Sequence, residues 1–377
     1  MSPKANLNTK AIYINLALEQ AKLKTQAENL SIIESLKAKY IKALNSEIDY
    51  FFKNHRLNSK VNSLYLASNI SEDGDLKYLK SILKTIEQYI NFSEDVEVSL
   101  EIIPKDLSQD FFREIKDLGI NRLVYKVNSF SKSNKNYLID KVSKKETETC
   151  LNYANLYGLD NTSIDLIYAF PEQNEEELFE ELESIYKFNF KHIYFTSYLS
   201  ELEDLSRLSD EAVDKERKFY HLIRNFFISR DYKHLELHIL AKDGFASEQN
   251  KVYYEGKTYL GFGLNASGYI NKCRYKNPSS LEEYLEKTKL NKPYAGIEFI
   301  DQEAEQIEYL ILALSTSKGI NLKEYQQKFS KNLDAGKIKT LNKFTKMGLL
   351  DKKQASYRLS AKGLDYSQHI LSELLYS

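Results

Sequence analysis

Strand, turn and amphipathic helix recur from Ala11 to about Leu199, and this predicts an α/β fold of parallel β/α units, as an open doubly wound sheet or a barrel. A small winged-helix-like region is expected after it. The clearest unit is Asp165-Leu166-Ile167-Tyr168-Ala169-Phe170-Pro171-Glu172-Gln173-Asn174. Ile164, Leu166, Tyr168 and Phe170 share one face of a strand, with Asp165, Ile167 and Ala169 on the other; both faces are largely apolar, as in a sheet covered on both sides. Asn174 is a helix N-cap, followed by Glu175, Glu176 and Glu177 at the positive end of the helix dipole. Leu178, Leu182, Ile185 and Tyr186 continue at helical spacing. Asp165 is a carboxylate inside a buried strand, so it is either a ligand contact or a structural hydrogen-bond acceptor.

With 377 residues the chain can bury a large core and is expected to hold more than one domain. Lys and Arg number 53 against 54 Asp and Glu, which removes any global charge argument for nucleic acid as a partner. No apolar run reaches membrane-spanning length, and Met1-Ser2-Pro3-Lys4 lacks the apolar core of a signal peptide, so the cytoplasm is the expected compartment. The 2 cysteines, Cys150 and Cys273, match no metal or redox spacing.

Taken in order, Ala11 to Leu16 reads as the first strand, and Ile32 to Phe52 as a long amphipathic helix. Val61 to Ala67 is the second strand, leading into a loop over Asn69 to Asp75. A helix over Leu76 to Tyr89 precedes a third strand, Val96 to Ile103, closed by Pro104. Ser108 caps a helix that buries Phe111, Ile115 and Leu118 and that Gly119 ends. Arg122 to Asn128 is the fourth strand, Asp165 lies on the fifth, and Lys191 to Leu199 is the sixth. Beyond Tyr232 short strands and Gly/Asn turns take over. From about Gln302 three helices, a hairpin and a last helix suggest the winged domain. Its basic residues are offset by acids, so DNA binding is not expected.

In this order the pieces resemble the oxygen-independent coproporphyrinogen III oxidases and their relatives, the heme chaperones, of the radical S-adenosylmethionine (SAM) superfamily. The resemblance is strongest at Gly119-Ile120-Asn121-Arg122-Leu123 with Val127-Asn128-Ser129-Phe130, where the family has Gly-Val/Ile-Asn-Arg-Leu-Ser-x-Gly-Val-Gln-Ser-Phe. Asp165 to Gln173 is similar to the family's Asp-Leu-Ile-Tyr-Gly-Leu-Pro-Gly-Gln. Tyr232, Glu236, Ala241-Lys242, Gly261, Gly263, Arg274, Asn277 and Tyr284 fall in register with the heme-chaperone branch. The resemblance implies a partial (β/α) barrel of radical SAM type over 1–230, an accessory region over 231–300 and a helical winged-helix-like domain over 301–377. It also implies contacts to SAM from Tyr13, Glu101, Asn128 (in place of Gln) and Asp165. Tyr13, Glu101 and Asp165 read more readily as ordinary polar residues of a barrel interior than as functional remnants.

The departures concern the chemistry. The family opens with Tyr-x-His-x-Pro-Phe-Cys-x-x-x-Cys-x-x-Cys, whose thiolates hold a [4Fe–4S] cluster. Tyr13 matches, but Asn15 replaces the His, Ala17 the Pro, and Glu19, Leu23 and Gln26 the three cysteines. The cluster is expected to be absent, and with it the radical chemistry. The family's Gly-Gly-Gly-Thr-Pro corresponds to Ala67-Ser68-Asn69-Ile70-Ser71, its Gly-Arg-x-His to Asp140-Lys141-Val142-Ser143, and its His-Asn-x-x-Tyr-Trp to Gln249-Asn250-Lys251-Val252-Tyr253-Tyr254.

Two local patterns invite other readings. His234, Glu236 and His238 would share one face of a strand and could start a zinc, iron or heme-iron site, although the default is a solvated strand face. Gly261-Phe262-Gly263 superficially resembles a nucleotide loop, but it lies outside a strand–helix–strand unit and reads as a turn. The expected function is a non-catalytic role binding heme, a related tetrapyrrole or a protein partner, with no nucleic acid and no integral membrane segment. The alternatives are a SAM-binding enzyme of the porphyrin pathway and a metal protein using His234, Glu236 and His238.

Overall fold

The computed structural model describes residues 5–19, 30–131, 133–138, 140–201 and 209–377. Six parallel strands form its centre: β1 (Ala11–Asn15), β2 (Val61–Glu72), β3 (Phe92–Asp106), β4 (Arg122–Asn128), β5 (Thr162–Tyr168) and β6 (His192–Ser197). The helices that follow or link them are α1 (Leu30–Asn54), α2 (Leu76–Ile86), α3 (Gln109–Asp117), α4 (Lys144–Leu156), α5 (Glu175–Lys187) and α6 (Asp210–Ile228). Each strand buries one set of side chains against these helices. Ile12 and Ile14, Leu64 and Leu66, Leu100 and Ile102, Ile164 and Leu166 all belong to that core. The alternate set, Tyr13, Tyr65, Glu101, Lys126, Asp165 and Tyr194, faces the inside of the curved sheet.

The stretch expected to be accessory extends this sheet at both ends. β7 (Lys233–Glu236), at the edge, pairs antiparallel with β8 (Ile239–Ala241), which pairs antiparallel with β6, while β9 (Tyr259–Gly263) pairs in parallel with β1. β10 (Ser267–Ile270), β11 (Cys273–Lys276) and β12 (Gly296–Phe299) complete a 12-stranded sheet in the order β12-β11-β10-β9-β1-β2-β3-β4-β5-β6-β8-β7. The helix α7 (Glu248–Tyr254) lies under the amino-terminal ends of β2 and β3. There Ser63 Oγ donates to Gln249 Oε1 at 2.8 Å, and Ser247 Oγ donates to Glu97 Oε1 at 3.1 Å. Next come α8 (Leu281–Lys289) and the C-terminal helices α9 (Gln302–Leu314), α10 (Leu322–Phe329), α11 (Ala335–Lys346) and α12 (Ser367–Leu375). The last four pack with β13 (Ile320–Asn321), β14 (Leu350–Lys353) and β15 (Ser356–Leu359), a winged-helix arrangement with its own core from Leu310 to Leu374. No helix among the described residues is long and apolar enough to cross a membrane.

The helix caps agree with the sequence. The Asn174 side chain accepts from the Glu177 amide while Glu177 reaches back, and the Ser108 hydroxyl accepts from the Phe111 amide. Two strands run further than expected. β2 continues through Asn69-Ile70-Ser71-Glu72, which the sequence marks as a loop, with shifts of register and a positive φ at Asn69. The buried, β-branched Ile70 pairs with Ile102, and these contacts keep the segment extended where the glycine-rich family stretch would turn. β3 passes through Pro104 to Asp106, because its pairing with β4 ends at Ile102 and the missing proline N–H is not needed on that side.

Candidate functional site

A chain of paired polar groups crosses the inner face of the sheet. The rings of Tyr13 and Tyr65 stack, with centroids 5.8 Å apart. Tyr65 Oη donates to Glu101 Oε1 at 2.8 Å, and Lys126 Nζ donates to Asp165 Oδ2 at 2.6 Å. Burial raises the Glu101 carboxyl above its usual range, the Lys126 charge opposes this and the Asp165 charge reinforces it. For Lys126, burial works against the ammonium, but the carboxylates of Asp165 and Glu101 outweigh it and hold the group above its usual value. Asp165 thus holds the Lys126 cation directly, while Glu101, bonded to Tyr65, feels its charge through space.

That lysine is the residue of this inner face that the motif comparison did not single out. Counting along the fourth-strand motif, Lys126 stands where the family has a glycine. A glycine there leaves space, whereas Lys126 fills it with a four-carbon arm and a charge. The signal was present as a charged residue inside a largely buried strand, but its partner lies 39 residues away.

Asn128 ends β4 in a left-handed conformation (φ 63°) after a break in register. The structure thus brings Tyr13, Glu101 and Asp165 together around Tyr65 and Lys126, with Asn128 at the strand end. The motif residues after it are structural. Ser129 Oγ donates to Glu181 Oε1 at 2.8 Å, and the Phe130 amide donates to the same carboxylate. Burial pushes Glu181 up to about 7, against those two hydrogen bonds. Gln173 is structural too, since its Oε1 accepts from the Ala169 amide at 2.9 Å. Ala169 keeps a left-handed φ of 61° where the family has glycine.

The residues at the family's cluster position do not fit an iron–sulfur cluster. Glu19 accepts from Asn69 Nδ2 at 2.6 Å, and Leu23 and Gln26 lie outside the described residues. Asn15 is a local brace, with Nδ2 donating to the Leu264 carbonyl and Oδ1 accepting from the Ala17 amide, both at 2.9 Å. Cys150 is buried on α4, where burial pushes its thiol up to about 12, and Cys273 lies on β11. Asp140 pairs with Lys105 at 2.7 Å, and Ser143 caps α4.

The proposed metal triad is corrected by the structure. β7 ends at Glu236, and the following turn carries His238 out of the strand alternation. Among the described residues, only Glu34, Glu72 and Asp75 bring three ligand atoms together, and the Lys37 ammonium is bound to all three carboxylates. Burial lowers His234 to about 4 and raises Glu236 to about 7. Glu236 is buried and the two histidines are half-buried, so this is not a solvated face, and burial works against the charged form of each.

The heme-chaperone matches near the other end of the sheet also have structural partners. Gln249, at the motif's histidine position, is buried, accepts from Ser63 and donates to Tyr253 Oη at 2.7 Å. Glu47 accepts from Asn277 Nδ2 at 2.7 Å, the Gly263 amide at 3.0 Å and Tyr284 Oη at 2.5 Å. The Gly261-Phe262-Gly263 segment is accordingly a strand fixed on this carboxylate and on β1, not a nucleotide loop.

No family model matches the chain. It is 24% identical over 331 residues to the heme chaperone HemW of Lactococcus lactis, covering 84% of this chain and 85% of that protein. It is 24% identical over 298 residues to HemW of Bacillus subtilis, covering 76% of this chain and 78% of that one. It is 23% identical over 310 residues to the oxygen-independent coproporphyrinogen III oxidase of Escherichia coli, covering 76% and 67%. The solved structure of that oxidase (HemN), a radical SAM enzyme, superposes with a TM-score of 0.78 at 17% identity over 97% of this chain and 90% of that one. The chain is thus a divergent homologue of the heme chaperones and oxygen-independent coproporphyrinogen III oxidases, with the radical SAM fold and without the family's three-cysteine motif.

Proposed function

We propose that this protein is a non-catalytic binding member of its family, which has lost the iron–sulfur cluster and holds a tetrapyrrole rather than transforming one. The observation that carries this reading is the Lys126 ammonium bound to Asp165, with its charge also acting on Glu101. Carboxylates that would meet a cationic cofactor are already neutralised from within, and a side chain occupies the space. The donor set agrees, since 2 cysteines cannot supply three thiolates. A fold can persist after its chemistry is lost, because function resides in the site. Tetrapyrrole as the ligand class rests on the named function of the heme-chaperone relatives. The cytoplasm is the compartment this reading expects.

Anaerobic reconstitution with iron and sulfide is the direct test of the first part. The expected product is colourless and iron-free, and calorimetry with SAM gives no binding heat. A broad absorption band with about four irons per chain, or cleavage of SAM, would refute it. Titration with hemin tests the second part. A saturable shift of the Soret band at one equivalent supports the ligand class; a purely linear, non-saturating response rejects it and leaves a protein partner.

A further inference from the structure

The end of the barrel covered by α7 holds a positive charge that no carboxylate among the described residues neutralises. Arg122, at the start of β4, is 1% exposed. Its Nη1 donates to Asn161 Oδ1 at 3.0 Å and to the Phe245 carbonyl at 3.4 Å, whereas Nε has no partner among the described residues. On β6, His192 is 3% exposed; its Nδ1 lies 2.8 Å from Ser163 Oγ, and its Nε2 also lacks a partner among the described residues. Burial and the Arg122 charge hold His192 well below its usual value, so the ring is neutral. We assign the tautomer in which Ser163 donates to Nδ1, which places the ring proton on Nε2. The carboxylates on neighbouring strands are engaged elsewhere. Glu97 accepts from Ser247 Oγ and the Glu248 amide, both at 3.1 Å, and Asp165 holds Lys126 at 2.6 Å.

Both residues line a cavity of about 390 Å³. Its other walls include Tyr65, Tyr194, Tyr253 and Tyr254, Leu312 of α9, and Asp165, whose charge is held by Lys126. Tyr194, at 37% exposure, connects it to solvent. A buried cation is unfavourable without a counter-charge, and unmatched buried donors beside a cavity indicate a missing partner. The volume falls within the ordinary range for small-molecule sites.

We propose that this cavity binds a small oxyanion, a carboxylate or a phosphate, with its charged head on Arg122 and His192 and its body among the four tyrosines. Two hydrogen-bond donors and one charge select an oxyanion over a neutral ligand, and the aromatic walls favour a compact planar or apolar body. The cavity shares Tyr65 and Asp165 with the site described above, but the anion-binding pair, Arg122 and His192, takes no part in the tetrapyrrole reading.

The test is calorimetric titration of the full chain with benzoate and, separately, with inorganic phosphate, at constant ionic strength in chloride. Saturable one-site binding of at least one probe is expected. Benzoate alone identifies an organic carboxylate site, and phosphate alone a phosphate site. His192→Asn keeps a partner for Ser163 but deletes the Nε2 donor, and should weaken binding by about tenfold or more. Arg122→Gln should abolish it. If circular dichroism shows that Arg122→Gln does not fold, the His192→Asn result decides. Absence of saturable heat with both probes at millimolar concentration overturns the proposal, as does unchanged affinity in His192→Asn.

Discussion

Truncating Lys126 would leave Asp165 and Glu101 on the inside of the sheet without their shared cation. The Lys126 side chain is 28% exposed and that of Asp165 13%, so solvent screens the pair in part. Lys126→Ala is expected to cost about 2 kcal/mol, below the usual penalty for breaking a fully buried pair. Urea denaturation measures it, and a loss within experimental error would show that the pair is solvated. Gly263 gives a second test at this scale. Its φ is 97°, and a Cβ there would lie 2.3 Å from the Asn15 carbonyl oxygen, on the strand it pairs with. Gly263→Ala should cost about 3 kcal/mol through left-handed strain and overpacking together. A variant as stable as the parent would refute this account of the turn.

The element β7 carries a charge in an unfavourable place. Burial pushes the Glu236 carboxyl up to about 7, opposed by Lys251 and Lys318, and its Oε2 has no hydrogen-bond partner among the described residues. A raised carboxyl binds its proton more tightly in the folded chain than in the unfolded one. Its favourable contribution is therefore present below the ordinary carboxylate range and is lost as pH rises through about 7. Glu236→Gln removes that dependence. The difference in Tm, variant minus parent, should be near zero at pH 5 and about +2 °C at pH 8; a difference independent of pH would contradict the buried carboxyl. At the same scale, the caps of α3 and α5 were legible because a cap is a contact between residues three apart. The extension of β2 through Ser71 was not, because local composition marks a turn there while pairing with Ile102 holds it straight. His238 was misplaced for the same reason: alternation predicts a face only while the strand lasts.

Across the whole molecule, two cores meet along few polar contacts. The barrel core and the C-terminal core are separate clusters. The contacts between them include the Leu237 amide to the Ser315 carbonyl at 2.9 Å, the Ser317 amide to the Leu235 carbonyl at 2.8 Å, Arg274 Nη2 to Glu308 Oε1 at 2.8 Å, and His221 Nε2 to Asp365 Oδ1 at 2.7 Å. Asp365→Ala should loosen the C-terminal unit by about 0.5–1 kcal/mol, the range for a partly exposed pair. Amide exchange in α12 should then quicken about three- to fivefold, with β3 to β5 unchanged. Equal acceleration in both regions would mean that the two cores unfold as one.

What the sequence determined unaided was either local or countable. The order of β/α units follows from apolar periodicity, the helix starts follow from capping residues, and the missing thiols follow from a count of 2 cysteines. The family's motifs could be found because they too are short. Tertiary structure decided which polar residues meet. Lys126 finds Asp165 across 39 residues, Tyr284 finds Glu47 across 237, and the Asn161 side-chain oxygen and the Phe245 carbonyl both accept from Arg122 Nη1, leaving its Nε without a partner among the described residues, beside a cavity. A charged residue in a strand reads as exposed until its partner is known. Its partner is set by the curvature and register of the sheet, which no periodicity in the chain encodes.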